Sequence, residues 1–235
     1  MKNEVIFAPS LMCIDFMNAY DDVKVLEKHF GMLHADIMDG HFAPNITLSP
    51  GFVESVKKIT KLPVDAHLMV EHPNDYIDTL AKAGADYITV HAETIIPNAF
   101  RTINRIKESG AKPGVALCPA TPLEVIDSYI DMIDLLLIMT VDIGYAGQRF
   151  IPQMMKKIEH ADRLRTENGY NFLIQVDGCI GKDVYKKLFD NGVNVYVMGT
   201  AGLFEEGMSL DAASEKMQKE FFLETGVCQR DSNSK

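Results

Sequence analysis

Three short apolar runs carry polar residues that a buried strand does not need for packing. In Leu33-His34-Ala35-Asp36-Ile37-Met38, His34 and Asp36 are two residues apart, so an extended chain points both to one side. Val64-Asp65-Ala66-His67-Leu68-Met69 adds His67, with Asp65 on the same face. Ile174-Gln175-Val176-Asp177-Gly178 adds Asp177 at the end of a run. Together His34, Asp36, His67 and Asp177 make a donor set for one divalent ion. Imidazole suits Zn, Fe, Co or Mn, and carboxylates widen the choice toward harder ions. Taken singly, each residue reads more simply as a core polar group satisfied by its neighbours. Four at strand ends favour the ion. Asp65 then reads as buried support for a ligand.

Glycines punctuate the later strand ends. One run reads Thr140-Val141-Asp142-Ile143-Gly144-Tyr145-Ala146-Gly147-Gln148, and another Met198-Gly199-Thr200-Ala201-Gly202. With Gly178 they form a cluster of loops suited to a phosphate, although each glycine alone is an ordinary turn residue. Other polar residues have plainer readings. His29, His72 and His160 are solvated, and Asp39-Gly40 is a turn. His91 ends a strand with no partner evident, and the Cys179 thiol is incidental.

These residues need a frame. Candidate strands begin near Phe7, Leu33, Val64, Tyr87, Gly114, Leu135, Leu173 and Val195. Amphipathic stretches lie between them at 15–29, 71–82, 98–109, 122–129, 154–167 and 182–191. Gly84, Gly110 and Gly192 close three of these as helix stops. Eight β-then-α units in 235 residues favour a single-domain (β/α)8 TIM barrel. The alternative is an open doubly wound sheet, which usually stops at five or six strands and carries a glycine fingerprint that no turn here shows. In a barrel the chemistry sits at the C-terminal ends of the strands, where the polar residues above fall.

Composition narrows the partners. The chain is 47% hydrophobic and 24% charged, with a net charge of −10. That argues against nucleic acid or an anionic membrane, but leaves room for a phosphate held by backbone N–H groups. Four scattered cysteines, Cys13, Cys118, Cys179 and Cys228, form no C-x-x-C pair and read as reduced thiols of a cytoplasmic protein. No signal peptide is visible, and no apolar run is long enough to span a bilayer. The barrel is expected over 1–223, with 224–235 a polar, frayed tail.

The chain resembles the ribulose-phosphate 3-epimerase family. The resemblance rests on Ala8-Pro9-Ser10-Leu11, on the long segment from His34 to Asn45, on Asp65-Ala66-His67-Leu68-Met69, on Ala83-Gly84-Ala85-Asp86 and on Thr89-Val90-His91-Ala92-Glu93. It continues through Met139-Thr140-Val141-Asp142, Gly147-Gln148 and Val176-Asp177-Gly178. It implies that His34, Asp36, His67 and Asp177 are metal ligands, and that Asp36 and Asp177 are also the acid/base pair. It further implies that Ser10 and His67 touch substrate, and that Met38, Met69 and Met139 line the pocket. Phosphate would be gripped by Gly144, Tyr145, Ala146 and Gly147, by Gly178 and Cys179, and by Gly199 and Thr200. A homo-oligomer, dimer or hexamer, is implied by the resemblance alone.

Two substrates fit that family: D-ribulose 5-phosphate, epimerised to D-xylulose 5-phosphate, and D-allulose 6-phosphate, interconverted with D-fructose 6-phosphate. Ser10-Leu11-Met12-Cys13, Thr47-Leu48-Ser49-Pro50, Thr140-Val141-Asp142, Ala146 and the segment from Gly199 to Phe204 look more like the hexulose enzyme, which sets the expectation. Against both stand a sugar-phosphate-binding barrel without catalysis and a metal-free phosphate-binding isomerase barrel. The complete ligand set argues against the first, and metal analysis of the purified protein separates the second.

Overall fold

A computed structural model describes residues 4–229. Eight parallel strands form one sheet: β1 (Ile6–Pro9), β2 (Leu33–Met38), β3 (Val64–Met69), β4 (Tyr87–His91), β5 (Lys112–Leu117), β6 (Leu135–Met139), β7 (Leu173–Asp177) and β8 (Val195–Met198). The strand order is β1-β8-β7-β6-β5-β4-β3-β2, and a parallel bridge between Ser10 and His34 brings the two ends together. The helices are α1 (Ala19–His29), α2 (Pro50–Ile59), α3 (Ile77–Ala83), α4 (Ala92–Ile95), α5 (Ala99–Glu108), α6 (Met154–Asn168), α7 (Lys182–Asp190) and α8 (Leu210–Thr225). The fold is the expected TIM barrel. Most strands are buried on both faces, which is why they read as apolar runs rather than alternations.

Apolar packing is layered. The main core lies between sheet and helices, with Phe7, Tyr185, Tyr196 and Phe221 among its largest buried side chains. A second cluster, including Ala8, Tyr87, Leu135, Leu137 and Val195, fills the barrel interior. A third, small cluster of Met38, Ala43 and Met69 lies among the loops after β2 and β3. The polar residues of β2, β3 and β4 occupy the interior between the second and third clusters.

The helix boundaries differ from expectation in identifiable places. The stretch 15–29 becomes helical only at Ala19, because the Asp15 carboxylate accepts from the Met17 N–H at 2.9 Å and makes a local turn instead. Pro73 opens a 3₁₀ turn, so the helix expected from 71 starts at Ile77. The segment 122–129 holds only a 3₁₀ turn, Leu123–Ile126; Val125, Ile126 and Asp127 are poor helix formers. Three helices, α2, the single-turn α4 and α8, were absent from the sequence reading. Ser49 caps α2 by accepting from the Phe52 N–H ahead of Pro50 at the first turn, and Ser209 caps α8 in the same way.

The boundary expected at 223/224 falls inside α8, which runs to Thr225. Beyond it the Gln229 side chain accepts from the Phe7 N–H at 2.9 Å and donates to the His29 carbonyl at 3.1 Å. These bonds pin 224–229 to the base of the barrel, so that part of the expected tail is ordered. The rest of it, 230–235, lies outside the described residues. Among the described residues no helix is long and apolar enough to cross a membrane.

One polar knot joins α1 to the end of α2. Glu27 accepts from Lys24 Nζ at 2.8 Å, Thr60 Oγ1 at 2.7 Å and the Lys61 N–H at 3.2 Å. The Lys24 and Thr60 hydrogen bonds hold its carboxyl down at about 2. A carboxyl depressed in the folded state stabilises above its unfolded pKa and loses that contribution as pH falls through the folded value. Glu27→Gln should therefore cost at most about 1 kcal/mol at pH 7, since the group is partly exposed. The gap between variant and parent, read by urea unfolding, should close as pH falls from about 4.5 toward 2.

Candidate active site and metal centre

The pairing register explains how distant residues converge. Between β2 and β3, His34 lies beside Asp65 and Asp36 beside His67; between β3 and β4, His67 lies beside Thr89. Between β6 and β7, Met139 lies beside Asp177. Asp36, Met139 and Asp177 reach the C-terminal mouth of the barrel, while His34, Asp65, His67 and Thr89 are buried below it. His34 Nε2 is 3.2 Å from Asp36 Oδ1, and His67 Nδ1 is 3.2 Å from the same oxygen. The two ring nitrogens are 3.3 Å apart, and Asp177 Oδ2 is 3.9 Å from His67 Nδ1. One ligand atom from each of the four residues lies within 4.8 Å of every other.

These spacings fit a metal. Ligands about 2.0–2.1 Å from a tetrahedral ion are themselves about 3.3–3.4 Å apart. The donor chemistry agrees. His34 Nδ1 is 3.0 Å from Asp65 Oδ2, and an ionised carboxylate only accepts, so this nitrogen carries a proton and donates it. Nε2 is then the atom turned toward the other ligands, as in the carboxylate–histidine pairs that orient metal ligands. Asp65 is itself held by Thr89 Oγ1 at 2.6 Å. That contact requires close packing: a Cβ at Gly114, on the neighbouring strand, would lie 2.2 Å from Thr89 Oγ1.

Electrostatics in this pocket are strong because it is dry. Burial opposes the charge on Asp36, but His34 and His67 outweigh it and hold the carboxyl well below the usual range. Burial, and then the Asp36 charge, push Asp177 the other way. His34 is raised despite its burial, since Asp36 and Asp65 flank it. Burial pushes His67 down to about 4, against the attraction of the neighbouring Asp36 carboxylate. A proton or a cation between His34 and Asp36 satisfies the carboxylate, so an arriving ion displaces the proton.

Above the ligands opens a cleft continuous with solvent. Asp36 and Asp177 reach its floor, while His34 and His67 lie beneath it, fully buried. Ser10 lines it and donates to Asp36 Oδ2 at 2.6 Å. Met38, Met69 and Met139 form an apolar wall, as expected for the pocket. The opposite wall is the glycine loops: Gly144, Tyr145, Ala146 and Gly147, then Gly178 and Cys179, then Gly199 and Thr200. Of the residues expected to touch substrate, all border this cleft except His67, which is fully buried beneath it.

The glycine wall has two kinds of member. Gly178 is required by the backbone: its φ is +114°, and a Cβ would sit 2.5 Å from Val141 Cγ2. Gly199 is not, since its nearest atom to a Cβ would be Cys13 Sγ at 3.8 Å, an ordinary contact. A glycine with room for a methyl leaves that room to a ligand approaching the backbone. The loop after β6 is tied to the loop after β2, with Asn45 Nδ2 donating to the Gly144 carbonyl at 2.9 Å and the Tyr145 hydroxyl to the Pro44 carbonyl at 3.0 Å.

Sequence reasoning missed several residues here. Met12 and Cys13 border the cleft, yet entered the sequence reading only as part of the Ser10–Cys13 segment compared between substrates, and were given no place in the pocket. His91 has partners after all: its Nε2 is 2.9 Å from His67 Nε2, and its Nδ1 is 3.3 Å from Glu93 Oε2. The signal was present in the spacing of His91 and Glu93 across a strand end. Asp39 is structural as expected, accepting from the His41, Phe42 and Glu71 N–H groups.

Residues 6–204 match the Ribulose-phosphate 3 epimerase family. The chain belongs to this family. It is 45% identical to the ribulose-phosphate 3-epimerase of Bacillus subtilis (strain 168) over 196 residues, 83% of this chain and 90% of that one. It is 41% identical to the chloroplastic ribulose-5-phosphate-3-epimerase of Arabidopsis thaliana over 204 residues, 85% of this chain and 72% of the relative. Among solved structures, a crystal structure of KGPDC from Streptococcus mutans superposes with a TM-score of 0.73 at 13% identity, covering 92% of this chain and 97% of the other. That likeness concerns the fold.

The ligand geometry makes a direct prediction. Purified protein will hold about one divalent ion per chain by elemental analysis. His34→Ala and His67→Ala will each weaken binding by more than the roughly 10–100-fold typical of changes outside the ligand shell.

Proposed function

We propose that this member of the family is a D-ribulose-5-phosphate 3-epimerase, interconverting its substrate with D-xylulose 5-phosphate. The observation that carries the reading is the placement of Asp36 and Asp177. Two carboxylates from different strands reach one cleft floor beside a metal centre. Inverting a carbon next to a carbonyl needs a base on one face and an acid on the other. With the substrate plane between them, one carboxylate removes the C3 proton and the other returns a proton from the opposite side. Each turnover leaves their protonation states exchanged, ready for the reverse reaction. Ser10 holds Asp36 by its hydroxyl and fixes the direction of that carboxylate.

His34, Asp36, His67 and Asp177 would hold a divalent ion, which would supply Lewis-acid stabilisation of the negative charge that develops on the substrate oxygens. The methionine wall excludes water from the planar, reactive carbon framework without offering a proton. The phosphate lies against the glycine wall, and the roles given to Gly144–Gly147, Gly178, Cys179, Gly199 and Thr200 are part of this proposal.

The pentulose phosphate replaces the hexulose phosphate expected from loop segments. Relatives covered over most of the chain carry the ribulose-phosphate name. Several of the segments that pointed to the hexulose do structural work. Thr140 is fully buried and gives its hydroxyl to the Asp177 and Gly178 carbonyls. Thr47 Oγ1 donates to the Asp36 carbonyl and accepts from the Met38 N–H, and Ser49 caps α2. None of these reports on the length of a sugar.

The test is a side-by-side epimerase assay on metal-loaded protein with D-ribulose 5-phosphate and D-allulose 6-phosphate. The expected result is a higher kcat/KM for the pentulose. Preference for the hexulose would overturn the substrate and keep the chemistry. Asp177→Asn should lower kcat by about 10²–10⁴ or more, the range for loss of a positioned acid/base group. Persistence of turnover in that variant would sink the two-carboxylate mechanism.

A further inference from the structure

A second polar cluster adjoins the metal centre and has no part in the mechanism above. It consists of His91 at the end of β4, Glu93 in α4 and Cys118 just after β5. His91 Nδ1 is 3.3 Å from Glu93 Oε2 and 3.5 Å from Cys118 Sγ. Glu93 is held from behind: Oε1 accepts from the Cys118 N–H at 2.9 Å and from the Thr121 hydroxyl. That loop is clamped by Lys157 Nζ, which donates to the carbonyls of Cys118, Pro119 and Thr121 at 3.0, 2.8 and 2.6 Å. A histidine, a carboxylate and a thiol at such spacings match the donors of a second ion site.

Proton counting across the two histidines decides against that reading. His67 Nε2 and His91 Nε2 are 2.9 Å apart, so a single proton lies between them. To ligate an ion, His67 Nδ1 must present a lone pair, which places the His67 proton on Nε2. His91 Nε2 then accepts, and the His91 proton is on Nδ1. An Nδ1–H facing Glu93 is a donor facing an acceptor, and it cannot bind an ion. The opposite register would turn the His91 Nδ1 lone pair against the Glu93 carboxylate and put a proton on His67 Nδ1, where the ion belongs.

We infer that Glu93 is a positioning residue for the metal centre: through His91 it fixes the tautomer of His67 that can bind the ion, and the His91–Glu93–Cys118 cluster takes no ion of its own while the centre is loaded. The inference rests on the metal centre assigned above, and not on which sugar phosphate is turned over. Metal-binding histidines are commonly oriented by a carboxylate on their other nitrogen. His34 has that arrangement directly, through Asp65. For His67 the carboxylate stands one imidazole further away.

The test compares Glu93→Gln, Glu93→Asp and Cys118→Ser with the parent. A glutamine cannot serve both neighbours with an acceptor: if its oxygen takes the Cys118 N–H, its amide turns a donor toward His91. Zinc affinity is measured by competition with a chromophoric chelator, and the His67 tautomer by ¹⁵N NMR of the ion-free protein. Glu93→Gln should weaken zinc binding by about 10–100-fold and move the His67 proton from Nε2 toward Nδ1. Glu93→Asp should recover part of both. Cys118→Ser should bind within about twofold of the parent, because the thiol is not used.

A merely structural Glu93 would change thermal stability and leave the tautomer alone, which would overturn the inference. So would zinc affinity in Glu93→Gln equal to that of the parent. Two zinc ions per parent chain, falling to one in Cys118→Ser, would overturn it differently by making the cluster a metal site in its own right. Failure of the parent to epimerise either sugar phosphate would defeat the proposed function, yet leave these affinity and tautomer readings intact.

Discussion

Three aspartates, Asp36, Asp65 and Asp177, are drawn into one end of a barrel that is otherwise packed with aliphatic side chains, and they need positive charge there. Taking a carboxylate out of water costs several kcal/mol even after relaxation. The structure meets that demand in two ways. His34 stands between Asp36 and Asp65, in contact with both. An ion at the point where His34, Asp36, His67 and Asp177 converge then carries two positive charges into the place where the carboxylates crowd. The site is built around a requirement for a cation, and the same crowding places two carboxylates where they can act on a single carbon.

Rigidity of the frame turns this requirement into geometry. The ligands stand on strands β2, β3 and β7, whose backbones are fixed by parallel pairing, and not on loops. Small residues such as Gly114 let neighbouring strands' side chains approach closely enough to bond. Loops form the other half of the cleft, where the proposed phosphate would be held by many weak contacts. They are nevertheless tied to one another, as the loop after β6 is to the loop after β2. In the proposed reading, precision sits where the proton moves and adaptability where the substrate is gripped.

Much of this was legible in the sequence, for a physical reason. A strand covered on both faces has no solvent-facing side, so each His or Asp within it must have a partner or a purpose. That is how His34, Asp36, His67 and Asp177 stood out, and why all eight strands were found. Relations between strands were less legible. The contact of His91 with His67 depends on the register of β4 against β3, which periodicity along one strand does not encode. The 3₁₀ turn at Leu123–Ile126 and the late start of α1 were decided by local side-chain bonding and propensity, where the apolar pattern still read as helix. Helices α2 and α8 had visible serine caps, but the strand-centred reading passed over them.

The substrate shows where reading residue types without their bonds goes astray. A threonine in a loop beside an active site suggests a hydroxyl for the sugar, yet Thr140 and Thr47 spend theirs on the carbonyls of Asp177, Gly178 and Asp36. They shape the backbone that carries Asp36 and Asp177. Side chains that do face the cleft, such as Cys13 and Ala146, are small and differ from their alternatives by little more than a few atoms. Contacts of that size discriminate by about 1–3 kcal/mol at most in an apolar pocket. In the proposed reading, discrimination between five and six carbons falls to the distance between the metal centre and the glycine wall. The sugar has to span that distance with its reacting carbon between Asp36 and Asp177, and a loop residue changes the answer only if it moves one of those two ends.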